Sequence, residues 1–326
     1  MGERLSLIKM TKYDIVTMGS GLVDVFVQAG LKEKGNFLSL PVGTKIQIDE
    51  IDFAIGGGAI NAARCFAHFG FKTGFMGKIG SGYNGNTILN ELKREGVDFV
   101  GVSGKEHSGY SIILEDDKKN RTVLTYRGAS NNLKFSEIDM SRLETNWFYF
   151  TSMGDDSFES QKKLAVYASK RGIKISYNPS SYHTKKGAGY IGVILKNCDF
   201  LSLNKEEARM LVKKGDLFKG LRRLGPKIVS ITDGKNEGGI YDGNILYRYW
   251  PNKVKVVEAT GAGDVFASSF VSGFIKFNDV EKAIKCAIVN AESYIQTKGS
   301  QKGLLKWNEI ENLIKKTKFK IKKEEK

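Results

Sequence analysis

Glu258-Ala259-Thr260-Gly261-Ala262-Gly263-Asp264 is the stretch from which the rest of this chain is read. The β-branched run Lys253 to Val257 before it predicts a strand. The small-residue run Val265 to Gly273 after it predicts a helix, with the glycines between them as the turn. Backbone N–H groups at a helix start have no intrahelical partners and lie at the positive end of the helix dipole, so they can hold an anion. With only Gly261, Ala262 and Gly263 there, no bulky side chain keeps a phosphate from that backbone. A carboxylate at Asp264 repels a bound phosphate, yet it suits the removal of a proton from a hydroxyl that attacks a phosphoryl group. Taken alone, the heptad also fits a plain glycine-rich cap whose aspartate complements the dipole.

Composition narrows the classes. The chain has 326 residues, 41% hydrophobic and 27% charged, which suits one large α/β domain with at most an appendage. No apolar run approaches the roughly 18 residues needed to cross a bilayer, and Met1 to Lys12 lacks the apolar core of a secretory signal. Cys65, Cys198 and Cys286 have no metal spacing and sit in apolar surroundings, as buried thiols of a cytoplasmic protein do. The net charge of +15 raises the question of nucleic acid. Residues 315–326 carry seven Lys against two Glu, however, and the remaining excess is spread without an Arg-rich or aromatic-interleaved cluster. A basic surface that attracts small anions is expected, with no specific nucleic acid and no membrane partner. The 315–326 tail is expected to fray.

The order of elements gives the fold class. Tyr13 to Met18 reads as a first strand that continues past Gly19-Ser20-Gly21 through Val27. Glycines 56–58 open a helix from Ala59 to Phe69, and Thr73 to Ile79 reads as a strand. From Trp147 onward strands and helices alternate: 148–151, 160–171, 173–177, 200–203, 228–232 and 254–257, closed by helices over about 262–276 and 280–297. Such alternation predicts a mainly parallel sheet covered on both faces. Two β-only excursions, about 38–55 and 108–128, break the pattern and predict a small separate sheet. Glu115 to Asn120 is its hairpin turn.

Further motifs gather around the expected strand ends. Gly56-Gly57-Gly58-Ala59-Ile60-Asn61 lets a ligand touch backbone, and Asn61 offers both a donor and an acceptor to a hydroxyl. Asp24 lies just beyond the first strand, where open α/β sheets collect ligands, and a carboxylate there can accept two hydroxyl hydrogen bonds. Asn204-Lys-Glu-Glu207 reads as a capping box, or as a polar pair facing Mg²⁺ waters and phosphate. Thr232-Asp233-Gly234-Lys235 follows a buried strand and can cradle a nucleotide, or simply turn. Gly80-Ser-Gly82-Tyr-Asn-Gly85 has dinucleotide-binding spacing, but it follows a late strand and lacks a well-placed acidic partner. An NAD-binding oxidoreductase therefore stays only as a remote reading. His68, His107 and His183 show no metal spacing.

In this order the motifs resemble the ribokinase-like (PfkB) carbohydrate kinase family, over nearly the whole chain from about Tyr13 to Gly303. The match lies in Gly56 to Ala63, Asn204 with Glu207, Thr232 with Gly234, and Thr260 to Asp264. The resemblance implies a three-layer αβα domain over 13–314 with a small β-sheet lid, which often forms a homodimer contact. It implies ATP and Mg²⁺ as cofactors and a sugar or nucleoside acceptor. Asp264 would be the catalytic base, and the N–H groups of Gly261, Ala262 and Gly263 the anion hole. Asp24, Gly57, Gly58 and Asn61 would grip the acceptor. Asn204 and Glu207 would organise Mg²⁺ through water, with Thr232, Asp233, Gly234 and Lys235 at the nucleotide.

There are departures from the family pattern. Glu258 stands where the family usually has Asp, at a position linked to a monovalent cation, and its length argues against potassium. Gly82 replaces an acidic residue, and Ser268-Ser269 replace a smaller pair. The family's ribose-specific lysine is missing from the glycine motif. Thr125-Tyr126-Arg127-Gly128-Ala129 is similar to segments of fructokinase-like and 2-keto-3-deoxygluconate kinases, where Arg127 would meet the acceptor. A sugar sensor that binds without consuming ATP is the other remote alternative.

Overall fold

Ile15-Val16-Thr17-Met18 and Phe148-Tyr149-Phe150-Thr151 are buried at every position, as strands covered on both faces must be. They pair in parallel at the middle of a ten-stranded sheet in the computed structural model, which describes residues 12–35, 37–116, 121–297 and 303–326. The parallel part runs Ile228–Thr232, Phe200–Asn204, Lys174–Asn178, Trp147–Thr151, Ile15–Met18, Thr73–Met76, Asp98–Phe99. Gly238–Tyr241, Ile245–Trp250 and Lys320–Glu325 extend it with antiparallel pairing.

Successive strand side chains point to opposite faces, and the core divides accordingly. Phe148 and Phe150 join Phe158, Leu164, Ile191 and Leu221 under the helices Asp155–Lys170, Ala188–Lys196 and Leu217–Arg223. Tyr149 faces the other way, with Phe66, Phe266, Phe270 and Ile284 of the helices Gly58–His68, Ala262–Phe277 and Val280–Ile295. The result is the expected three layers. Cys65, Cys198 and Cys286 are free and buried. Among the described residues no helix is long and apolar enough to cross a membrane.

A separate five-stranded sheet forms where the alternation breaks. Leu22–Lys34 is its centre, antiparallel to Glu50–Gly56 and parallel to Gly109–Asp116, with Arg121–Tyr126 and Phe37–Ser39 at the edges. Residues 40–49 carry no strand despite their alternating pattern, and residues 117–120 of the expected hairpin turn lie outside the described residues.

Three expectations are corrected. The segment Lys253 to Val257 is not a strand. Pro251 cannot donate to a ladder and follows the end of Ile245–Trp250. The segment is instead tied down by Val257 N and Glu258 N, which donate to the Ile295 carbonyl at 2.8 and 3.2 Å. The run Thr73 to Ile79 breaks at Gly77, and Lys78–Ser81 leaves the main sheet to pair with Val102–His107. Helix Tyr83–Arg94 follows directly, and a Cβ on Gly85 would collide with the Gly80 carbonyl. Gly80 is packed in turn against the Glu106 carbonyl and Ser108 N, while Gly82 takes φ 90° in open space.

The third correction is the tail. Lys320–Glu325 is not frayed but is the edge strand of the main sheet, paired with Ile245–Trp250 in six-residue register. Phe319 and Ile321 pack against the apolar cluster, Arg248 meets Glu324 at 2.9 Å, Lys323 meets Glu281 at 2.8 Å, and Lys326 pairs with Asp216. Its outward lysines guard an edge that would otherwise offer open backbone groups to another chain. Removing residues 318–326 is expected to lower the unfolding midpoint by about 4 °C or more and to promote aggregation on heating. Scanning calorimetry and light scattering of the truncated chain check this.

Candidate active site

The main sheet reverses its winding between Ile15–Met18 and Trp147–Thr151: later strands are added on one side of Ile15–Met18 by Thr73–Met76 and on the other from Trp147–Thr151 outward. A crevice opens beyond the carboxyl ends of two such strands. Gly19 sits there because a Cβ would collide with the Thr151 hydroxyl. Gly57, at φ 105°, has its Cα pressed toward the Ser20 carbonyl, and a Cβ on Gly56 would collide with the Asp24 carboxylate. The three glycines thus let the start of helix Gly58–His68 approach the strand end and Asp24 together.

Asp264 lies in the first turn of helix Ala262–Phe277, after Gly261 in the left-handed conformation at φ 82°, ψ −2°. Asn61 Nδ2 donates to its Oδ2 at 3.2 Å, and Asn178 Nδ2 donates to its Oδ1 at 3.1 Å. A Cβ on Gly58 would stand 3.2 Å from the same carboxylate, so the glycine keeps that wall open. Burial pushes the Asp264 carboxyl above the ordinary range, and the Asn61 amide pulls it partly back. Gly263 is exposed and has nothing near its missing side chain. Ala262 N donates to the Ala259 carbonyl at 3.2 Å, so of the predicted anion-hole donors this one is engaged within the turn. A carboxylate of raised basicity, oriented by two amides beside a helix start, can take a proton while the backbone holds an anion.

Asp24, on strand Leu22–Lys34, is pushed up to about 6 by burial, against the lowering effect of the Ser111 hydroxyl bond. Arg127 stacks on Tyr182 at 4.1 Å to the ring centre and donates to the Ser20 hydroxyl at 3.4 Å. It therefore stands at the same strand end as Asp24. Asn204 and Glu207 form the capping box of helix Lys205–Leu211: Asn204 Oδ1 accepts from Glu207 N at 2.8 Å, and Glu207 Oε2 accepts from Asn204 N at 3.0 Å. The capping reading is observed, and burial, with the charge of Asp264 adding to it, raises the Glu207 carboxyl. Asn204 and Thr232 are register partners at adjacent strand ends. Beyond them, Asp233 is lowered by its 2.7 Å bond to Lys205, Gly234 takes φ 57°, and Lys235 is exposed. Glu258 N donates to the Ile295 carbonyl, and the charges of Glu258 and Asp264 both act on the nearby Tyr294 hydroxyl. Among the described residues no cluster of three or more metal-ligating side chains occurs.

Asn178 was not among the sequence-predicted residues. Its signal was its place: the strand end at residue 177 is followed by Asn178-Pro179, in line with Thr151 and Asn204.

The pfkB family carbohydrate kinase model matches residues 27–307. The chain belongs to this family. An uncharacterized sugar kinase of Archaeoglobus fulgidus is 30% identical over 73% of this chain and 97% of its own length. A nucleoside kinase of Methanothermobacter thermautotrophicus is 24% identical over 76% of this chain and 80% of its own. The structure of Arabidopsis thaliana ribokinase complexed with ribose and ATP superposes with a TM-score of 0.81 at 20% identity, covering 93% of this chain and 99% of that one. As a pfkB carbohydrate kinase the protein is a phosphotransferase with an alcohol group as acceptor, a sugar or nucleoside kinase.

Proposed function

We propose that this kinase transfers the γ-phosphoryl group of ATP to a hydroxymethyl group of a sugar, with Asp264 as base. The observation that carries it is the Asp264 carboxylate held by Asn61 and Asn178 at the glycine-lined start of its helix. The acceptor hydroxyl gives its proton to Asp264 as its oxygen bonds to phosphorus, and the bond from phosphorus to the bridging oxygen breaks, releasing ADP with the electron pair. N–H groups of Gly261, Gly263 and Asp264 face the charge on the transferring group, and Ala262 N joins them only by leaving the Ala259 carbonyl. Asp24, Gly57, Gly58 and Asn61 hold the acceptor, and Thr232 to Lys235 flank the nucleotide.

Mg²⁺ fits this donor set through water: Glu207 and Asn204 offer few oxygens beyond their mutual cap, and a cation would offset the negative charge that Glu207 and Asp264 bring to the site. When bound, it neutralises phosphate charge. Glu207 and Asn204 orient that shell. For potassium, Glu258 is the residue in question, and exchange of potassium for lithium in the assay decides it.

A fructose- or 2-keto-3-deoxygluconate-type acceptor is favoured over ribose by Arg127, which lies beside Ser20 with Tyr182 on its face. A nucleoside acceptor is the second reading, supported by the nucleoside kinase among the relatives. ADP release over a panel of pentoses, hexoses, sugar acids and nucleosides identifies the acceptor. Binding without ADP release throughout that panel would support the sensor instead. Asp264→Asn is expected to lower kcat by about a hundred- to ten-thousand-fold with acceptor binding nearly intact; ordinary turnover in that variant would sink the assignment.

Asp24 sets a pH limit. When ionised, both of its oxygens accept charge-assisted hydroxyl hydrogen bonds; protonation leaves one oxygen as a donor and weakens the grip, and burial has pushed the group up to about 6. Acceptor affinity, measured by calorimetry without ATP, is expected to weaken as pH falls through 6 and to hold above it. In Asp24→Asn it is expected to be weak at every pH.

We also propose a homodimer through the small sheet. Phe53 is 67% exposed, Tyr126 57% and Val123 50%, and Ile51 and Leu124 on the same two strands are exposed as well. Apolar exposure of this concentration favours association. Sedimentation is expected to give twice the chain mass and Phe53→Asp to give one; a monomeric wild type overturns the dimer.

A further inference from the structure

The heptad that bears the anion hole has little structure of its own. The segment before it is irregular, and two of its residues are glycines. What fixes it comes from two successive residues at the end of helix Val280–Ile295. The Ile295 carbonyl accepts from Val257 N and Glu258 N, and the Tyr294 hydroxyl donates to the Thr260 carbonyl at 2.9 Å. Tyr294 is 4% exposed.

The contact is tight on its far side as well. A Cβ on Gly261 would stand 2.8 Å from the Tyr294 hydroxyl and 3.5 Å from Asn61 Nδ2. The tyrosine, the first donor of the anion hole and the amide that orients Asp264 are therefore neighbours. In a planar trans peptide the carbonyl and the following N–H point in opposite directions. A phenol that pins the Thr260 carbonyl also fixes where the Gly261 N–H points, and Gly261 at φ 82° sets the helix start that follows.

We propose that Tyr294 is a positioning residue of phosphoryl transfer: its hydroxyl holds the Thr260–Gly261 peptide so that the helix-start N–H groups are aimed before ATP arrives. This rests on the kinase reading given above. Preorganised donors stabilise a transition state because no reorganisation is needed at the moment of reaction. Burial, together with the charges of Glu258 and Asp264, pushes the phenol pKa up, so the donor keeps its proton through the working pH range.

Tyr294→Phe deletes only the hydroxyl and conserves the ring's volume. Two measurements test the assignment. Amide hydrogen exchange in the peptide spanning residues 257–264 is expected to accelerate at least tenfold, with the surrounding helices unchanged. With the acceptor found in the panel, kcat is expected to fall about 10- to 100-fold while both KM values stay within about twofold. Unchanged exchange overturns the proposal whether or not any acceptor is turned over. Faster exchange with an unchanged kcat overturns it too. So does exchange that accelerates throughout Ala262–Ile295 with a lower unfolding midpoint, since that marks a general packing role. Failure of the kinase reading would look different: a wild type silent across the whole panel.

Discussion

The Asp264 carboxylate is the point at which three distant pieces of chain meet. Asn61 is 203 residues away in sequence and Asn178 is 86. One amide comes from the helix that follows the glycine loop, the other from a strand end of the main sheet, and the carboxylate from the start of the helix Ala262–Phe277 packed on the same face as the first. The arrangement exists only if the sheet, the helix layer and the glycine loop are all in register. A slip in any of them leaves a partly buried carboxylate with fewer donors, which is costly. The same two bonds therefore depend on the fold's register and orient the carboxylate proposed as the base.

Much of this was legible in the residues. Fully apolar strands announce themselves by lacking alternation, and Ile15–Met18 and Phe148–Thr151 did so. The glycines at 56–58 were readable because their conformations and close approaches admit nothing else. Asp24, Asn61 and Asp264 were readable because polar residues at predicted strand ends and helix starts have few other reasons to be there. Asn178 was harder, since Asn-Pro reads equally as an ordinary turn. Tyr294 could not be read at all: an aromatic in an amphipathic helix looks like core, and only the fold shows where its hydroxyl ends.

Two of the misread segments, at 253–257 and 320–325, share a cause. β propensity measures fitness for a pleated, half-buried surface rather than an intrinsic backbone preference. Lys253 to Val257 has the composition of a strand but follows a proline and has no edge to join. The lysine-rich tail has the composition of a solvated run, yet Phe319 and Ile321 reach apolar neighbours and Ile245–Trp250 offers an open edge. Availability of a partner edge decided both cases, and that is a property of the assembled sheet.

Strand Leu22–Lys34 begins only a few residues after Ile15–Met18 ends, so the small sheet is carried on a direct continuation of the main one. Asp24 stands three residues beyond Gly21, about 10 Å along an extended chain, whereas Lys34 stands about 43 Å along it. Gly19 and Gly21 are closely packed at the root of that continuation, whereas further out Gly30 takes φ 55° and the pairing shifts register between Gln28 and Leu31. Asp24 thus belongs to the well-anchored root of the small sheet, and irregularity in the strand begins only beyond it.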